Sequence, residues 1–290
     1  MTVADAYAWC ERLAREHYEN FPVASKLVPA AMRPHIAAIY AFARGADDLA
    51  DEGDRPPAER LRLLDAWSSR LHAAVRGEFP DGPEQPVFVA LADTIRTRAL
   101  PVSLFEDLLS AFRQDVIVTR YDTWADLLDY CRRSANPVGR LVLRVAGCAT
   151  PQRDASSDGL CTALQLTNFW QDLDRDWHKG RLYVPRELWQ PAGAYEDDLE
   201  RSCMTGAWQM ALGGAASRTR ALFEAGRLVC DEVPGRLRWE LRATWIGGMR
   251  VLERLEHAGF DVFAARPHLG AADAPPLLWR LLTWRRGPQR

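Results

Sequence analysis

Apolar residues recur at three- and four-residue steps along nearly the whole chain, the pattern of helices that bury one face. Alanine, leucine, arginine and glutamate, all good helix formers, fill most positions between the punctuation marks. The pattern predicts helices near residues 3–18, 31–52, 58–77, 86–98, 101–117, 124–149, 156–177, 206–232 and 235–257. Asp54-Arg-Pro56-Pro57 closes the second of these, and Gly180 follows the seventh. Pro101 and Pro234 stand where helices begin, a position at which a missing N–H costs little. No segment alternates convincingly as a strand, and no fixed period repeats. Pro137 falls inside the 124–149 pattern, so this stretch either kinks or breaks into two helices.

The expected architecture is therefore all-α. The 290 residues, 48% of them hydrophobic, are enough for one large domain with a substantial core. No low-complexity linker divides them. A net charge of −2 gives no nucleic-acid footprint. The six cysteines (Cys10, Cys131, Cys148, Cys161, Cys203, Cys230) form no C-x-x-C pair and lie mostly in apolar helical surroundings, which predicts buried thiols in a reducing compartment. The N-terminus, with Asp5, Glu11, Arg12, Arg15 and Glu16 in a helical pattern, does not read as a signal peptide. No apolar run is long enough to span a bilayer. The expected location is cytoplasmic.

Two acidic patches interrupt this picture. The first is Arg44-Gly-Ala-Asp47-Asp48-Leu-Ala-Asp51-Glu52, and the second is Gln165-Leu-Thr-Asn168-Phe-Trp-Gln-Asp172-Leu-Asp174-Arg-Asp176. At about 100° per residue, Asp47 and Asp51 fall about 40° apart on one face. With Gln165 at zero, Asn168, Asp172 and Asp176 fall near −60°, −20° and +20°, roughly one stripe of oxygen donors. Like charges so placed repel unless a cation joins them. Hard oxygen donors suit Mg²⁺, which usually completes its shell with water and substrate phosphate. Arg44, Lys179 and Arg181 would add positive charge for the same phosphate. A solvated acidic face remains the alternative for the first patch. It fits the second less well, because Asn and Asp there recur among Leu164, Phe169, Trp170, Leu173 and Trp177. The Glu-x-x-His pairs of di-iron bundles are absent, as are P-loop, zincin and nucleophile-elbow motifs.

Three segments carry a family resemblance: Tyr40-Ala-Phe-Ala-Arg44 through Asp51, Tyr130 through Gly139, and Gln165 through Pro185. With them the chain resembles the squalene/phytoene synthases, head-to-head prenyl transferases with a helical isoprenoid synthase fold around a central substrate cavity. The similarity in helix order runs over about residues 10–265, leaving 266–290 as a tail. His17-Tyr-Glu-Asn20-Phe21-Pro22-Val-Ala-Ser25 and Cys131-Arg-Arg-Ser-Ala-Asn136-Pro137-Val-Gly139 look like the hydroxysqualene synthase branch of hopanoid biosynthesis. The broader family often has serines where Asn20 and Pro22 stand.

The resemblance implies metal ligation by Asp47, Asp48, Asp51, Asn168, Asp172 and Asp176, with two or three Mg²⁺ ions bound alongside diphosphate. It implies diphosphate contacts from Asn20, Arg44, Gln165, Arg181 and Tyr183. Tyr130 would lie beside the rearranging carbons, and Asp47, Asp51, Asp172 and Asp176 would be essential for turnover. Phe21, Tyr40, Ala135, Val138, Gly139 and Trp170 would line the cavity, although aromatics such as Phe21, Tyr40, Tyr130 and Trp170 are also ordinary core residues. The implied reaction turns presqualene diphosphate and water into hydroxysqualene. The alternatives are synthesis of presqualene diphosphate, squalene or phytoene from two prenyl diphosphates, or a non-catalytic helper of the same fold. A nicotinamide cofactor is not expected, since no dinucleotide fingerprint occurs. A functional link to neighbouring squalene-pathway enzymes is implied.

Small residues admit two readings. Ala37, Ala38 and Ala41, Gly213 through Ala216, and Gly247-Gly248 would either make room for a long apolar substrate or let helices pack closely. The tail, Pro275-Pro-Leu-Leu-Trp279-Arg-Leu-Leu-Thr-Trp284-Arg-Arg286, is basic and apolar. It would either dock on the body or lie at the inner face of a membrane.

Overall fold

The computed structural model describes residues 1–16, 27–51 and 53–285. Asn20 and Phe21, with the rest of the 17–26 segment, and Glu52 lie outside them. In chain order the helices are α1 (Val3–Glu16), α2 (Arg33–Asp51), α3 (Pro57–Val75), α4 (Gln85–Arg98), α5 (Ser103–Ile117), α6 (Trp124–Ser134), α7 (Asn136–Val145) and α8 (Pro151–Gln171). They continue with α9 (Leu173–His178), α10 (Arg186–Trp189), α11 (Glu196–Glu200), α12 (Gly206–Gly226), α13 (Val229–Glu232), α14 (Leu237–His257) and α15 (Ala274–Leu282). Among the described residues no strand forms, and a single parallel bridge joins Arg120 to Leu182. The protein is all-α.

Three predicted helices are divided, the 206–232 pattern among them, which turns at 227–228 to give α12 and α13. The 124–149 pattern stops at Ala135 and restarts, so Pro137 ends one helix and sits in the first turn of the next rather than kinking a continuous one. Its ring cannot coexist with the carbonyl four residues back, and a first turn spares it that clash. The 156–177 pattern begins earlier, at Pro151, and is interrupted at Asp172, whose φ of −100° and ψ of 13° are not helical. The short α10 and α11, and α15 in the tail, were not predicted; segments of four to nine residues carry too little periodicity to register.

Contacts divide the chain into two compact units. The first holds residues 1–117, 137–150 and 234–240, and the second holds 118–136, 151–233 and 241–290. In the first unit, α2 buries Ile36, Ile39, Phe42, Ala46 and Ala50, one face at helical spacing. The Phe42 ring meets Phe105 edge-on at 5.4 Å, while Trp67 and Phe88 close to 4.8 Å beside it. Tyr7 ties α1 to this core: its hydroxyl is 2.9 Å from Asp93 Oδ2 on α4 and 3.1 Å from His35 Nδ1 on α2. Gly45 lets the Trp67 ring pack close, since a Cβ would stand 2.6 Å from it unless the ring shifted.

In the second unit, α8 crosses α12 at backbone contact. A Cβ on Gly226 would lie 2.4 Å from the Leu160 nitrogen, closer than any side chain permits. Ser156 Oγ accepts from Val229 N at 2.9 Å beside that crossing. Gly248 of α14 packs against Leu164 and Phe223, so there the small residue serves close packing. Gly213 and Gly214 meet no such neighbour. Thr123 and Asp126 form a reciprocal capping box that starts α6.

Candidate functional site

The first acidic patch occupies the C-terminal half of α2, in the first unit. Arg44, Asp47, Asp48 and Asp51 are all half-buried. Arg44 Nε lies 2.7 Å from Asp48 Oδ1 and its Nη1 lies 3.8 Å from Asp47 Oδ2. The guanidinium thus spans the i+3 and i+4 carboxylates, as helix geometry dictates. Tyr40 is half-buried one turn earlier, and Val138 and Gly139 are half-buried in α7 of the same unit.

The second patch runs from the end of α8 into α9, in the second unit. The expected continuous stripe is broken at Asp172, which lies between the two helices. Two helical hydrogen bonds nevertheless bridge the break, Asp172 N to Asn168 O and Asp176 N to Asp172 O, both 2.8 Å. The three oxygen-bearing side chains therefore keep their turn-by-turn order. An open cleft of ≈ 560 Å³ lies over Asp172, Asp174, Arg175, Asp176, His178 and Lys179. Gln165 and Asn168 are half-buried on α8.

Asp172 is gripped by an arginine absent from the sequence-based assignment. Arg266 Nε and Nη2 reach its two carboxylate oxygens at 2.5 and 3.1 Å, a bidentate fork. The segment bearing Arg266 is tied down along its length. Gln171 Nε2 donates to Pro267 O, and Arg254 Nη1 donates to His268 O at 2.5 Å. Asp273, 1% exposed, accepts from the Gly270 amide at 2.8 Å and pairs with Arg250 and Arg254. The Gly270 amide, ahead of the two guanidinium groups, holds the Asp273 carboxyl below the usual carboxylate range. No local signal singles out Arg266 in Ala264-Ala265-Arg266-Pro267; only folding brings it 94 residues back along the chain.

Tyr130 and Tyr183, proposed separately, stand together. They form a buried cluster with Tyr121 and Phe169, in which Tyr130 is 6.0 Å from Tyr183 and 5.7 Å from Tyr121 between centroids. Phe169 and Tyr183 stack at 3.7 Å, 6° from parallel. A backbone clip sets this up. Leu182 N donates to Thr119 O and Arg186 N to Tyr121 O, each at 2.9 Å. Gly180, with φ +77°, makes the turn that lets the chain return to the 119–122 segment. Arg181 follows that turn, half-buried.

Trp170, assigned to the cavity wall, is fully buried and donates its indole N–H to Thr219 Oγ1 at 3.0 Å. Its surroundings are those of a core residue. Ala135 is 8% exposed, and the neighbouring Asn136 accepts from Thr162 at 2.9 Å, anchoring α6's end to α8. Burial pushes the thiols of Cys10 and Cys230 up to about 12 and also raises Cys131, so none is a thiolate nucleophile.

Among the described residues no group of three His, Cys, Asp or Glu is gathered tightly enough to hold a metal alone. The donors present are hard oxygens, each patch already partly neutralised by arginine. That donor set fits a magnesium ion completed by phosphate and water rather than a closed protein cage.

The squalene/phytoene synthase family model matches residues 14–273. A hydroxysqualene synthase from Zymomonas mobilis is 40% identical over 212 residues, covering 71% of this chain and 68% of its own. Another, from Rhodopseudomonas palustris, is 37% identical, covering 87% of this chain and 83% of its own. The solved structure of a squalene synthase HpnC from Alicyclobacillus acidocaldarius is 42% identical, with TM-score 0.82, covering 89% of this chain and 95% of that one. The chain belongs to the squalene/phytoene synthase family, enzymes that act on prenyl diphosphates.

Proposed function

We propose that the chain converts presqualene diphosphate and water into hydroxysqualene and diphosphate, a step of hopanoid biosynthesis. The observation that carries this reading is the 40% and 37% identity to hydroxysqualene synthases across most of the fold. The C–O bond breaks and its electron pair leaves with the diphosphate. The cyclopropylcarbinyl cation rearranges, a water oxygen attacks, and the proton released passes to diphosphate or solvent. Arg44 and Arg181 would bind diphosphate oxygens, with Gln165 and Tyr183 orienting them. The Tyr121, Tyr130, Phe169 and Tyr183 rings supply electron-rich faces for the cation.

Asp47, Asp48, Asp51, Asn168, Asp172 and Asp176 would hold two or three Mg²⁺ ions, which when bound neutralise charge on the departing diphosphate. Arg266 holds the Asp172 oxygens that a metal would use, so the two cations compete for one carboxylate. A chelator should abolish turnover, and added Mg²⁺ should restore it. The substrate calls for a head-to-head condensation upstream, and the product's allylic alcohol calls for a reductive step downstream. Both steps would fall to other enzymes. Among the described residues no helix is long and apolar enough to cross a membrane. The proposed location is the cytoplasm, with peripheral contact at the inner membrane face.

Incubation with Mg²⁺, presqualene diphosphate and isotopically labelled water tests the proposal. The expected product is hydroxysqualene carrying the label. Turnover of farnesyl diphosphate alone, with no product from presqualene diphosphate, would overturn it in favour of a condensing synthase.

A further inference from the structure

The tail resolves into a helix with two different faces. Leu277, Leu281 and Trp284 are half-buried. Trp284 donates its indole N–H to Asp231 Oδ1 at 2.8 Å, meets Trp245 edge-on at 5.3 Å, and lies 4.3 Å under the Arg227 guanidinium. Arg280 Nη1 reaches Glu253 Oε1 at 2.9 Å. Arg280 on α15 and Trp284, two residues past its end, thus hold the tail on the second unit.

The other face is open. Leu278, Trp279 and Leu282 are 56%, 68% and 67% exposed. On an ideal helix Leu278 and Leu282 lie about 40° apart, with Trp279 about 60° further round. A solvated helix turns polar residues outward, and this one turns its large apolar residues outward on one side. Residues 274–290 contain four arginines and no acidic residue, in a chain of net charge −2. Arg285, just past the helix, is exposed.

We propose that Leu278, Trp279 and Leu282 form a docking face for an anionic phospholipid surface. The three side chains enter the headgroup boundary, and Arg285 meets the lipid phosphates. At nine residues the helix lies on the bilayer, since crossing needs about twenty. Charge selects lipid over a second copy of the chain: two such tails face to face would oppose arginine with arginine, whereas anionic headgroups complement them. The proposal stands on α15 and does not depend on which prenyl diphosphate the enzyme uses.

Co-sedimentation of the full chain with vesicles tests it, using phosphatidylcholine alone and phosphatidylcholine with about one-third phosphatidylglycerol. The wild type should pellet with the anionic vesicles, and less so as salt rises. The triple variant Leu278→Ser/Trp279→Ser/Leu282→Ser should bind about tenfold more weakly or worse. Trp279→Ser alone should fall between the two, and Arg285→Glu should lose a few-fold, selectively on anionic vesicles. Because these side chains are exposed, melting temperature and turnover of a micelle-dispersed substrate should stay near wild type. Failure of the wild type to pellet, or undiminished binding by both the triple and the Trp279→Ser variants, overturns the proposal. So does a concentration-dependent dimer that the triple variant abolishes without any vesicle binding, which would assign the face to a second copy.

Discussion

The two acidic patches look alike in sequence and are built differently. The first lies on an unbroken nineteen-residue helix, and its arginine comes from the same helix, three and four residues before the carboxylates it touches. The second lies across a helix break, and its Asp172 is held by an arginine 94 residues away. In the first patch the Arg44 pairs with Asp47 and Asp48 are local, set by helix spacing. The second is closed by the tertiary fold, through a segment clamped at Pro267, His268 and Asp273. The same ligand chemistry therefore rests on supports of different strength and reach.

The largest expected effect is on turnover, and it should not distinguish the patches. Asp47→Ala and Asp172→Ala should each lower kcat by about 10³-fold or more while circular dichroism stays helical. Near-normal activity in either variant would reduce that patch to a structural role.

Their supports should then separate. Gly226→Ala forces a Cβ into the Leu160 backbone beneath the helix that carries the second patch, and should cost about 3 kcal/mol in chemical denaturation. Gly45→Ala, next to Arg44, meets the edge of the Trp67 ring, which can shift, and should cost nearer 1–2 kcal/mol. Equal losses would mean that the α8–α12 crossing relaxes as easily as a side chain.

A smaller difference is expected between the two arginines. Arg266→Gln removes a bidentate partner from a carboxylate only 14% exposed, and should cost on the order of 1 kcal/mol. It should also tighten Mg²⁺ binding measured calorimetrically without diphosphate, because Asp172 loses its competing cation. Arg44→Gln breaks a more exposed pair within one helix and should cost about 0.5 kcal/mol or less. If the two variants match, the long-range clamp adds nothing beyond a surface ion pair.

The finest test uses pH. The folded state holds the Asp273 carboxyl below its usual range, so its contribution is complete above the unfolded value near 3.9 and is lost as pH falls through the lower folded one. Hydrogen-exchange protection of residues 268–273 should therefore fall below about pH 4, while the middle of α12 stays protected. Unchanged protection in that segment would show that backbone contacts alone hold it.

What the sequence by itself determined is what is written at a spacing of three or four residues. Helix positions from α2 to α5, the pairing of Arg44 with Asp47 and Asp48, and the family motifs around Asp47, Tyr130 and Asp172 were all legible there. Helical periodicity and i to i+4 geometry repeat regardless of context. The tertiary structure alone decided the break at Asp172, the meeting of Tyr130 with Tyr183, the burial of Trp170 and the grip of Arg266. It also showed that the tail is not forced to choose between body and surface: Trp284 docks on the second unit while Leu278, Trp279 and Leu282 of α15 stay exposed. Apart from the break at Asp172, each of these depends on closing a loop of tens of residues, and neither helical period nor local spacing encodes which distant side chain the closure delivers.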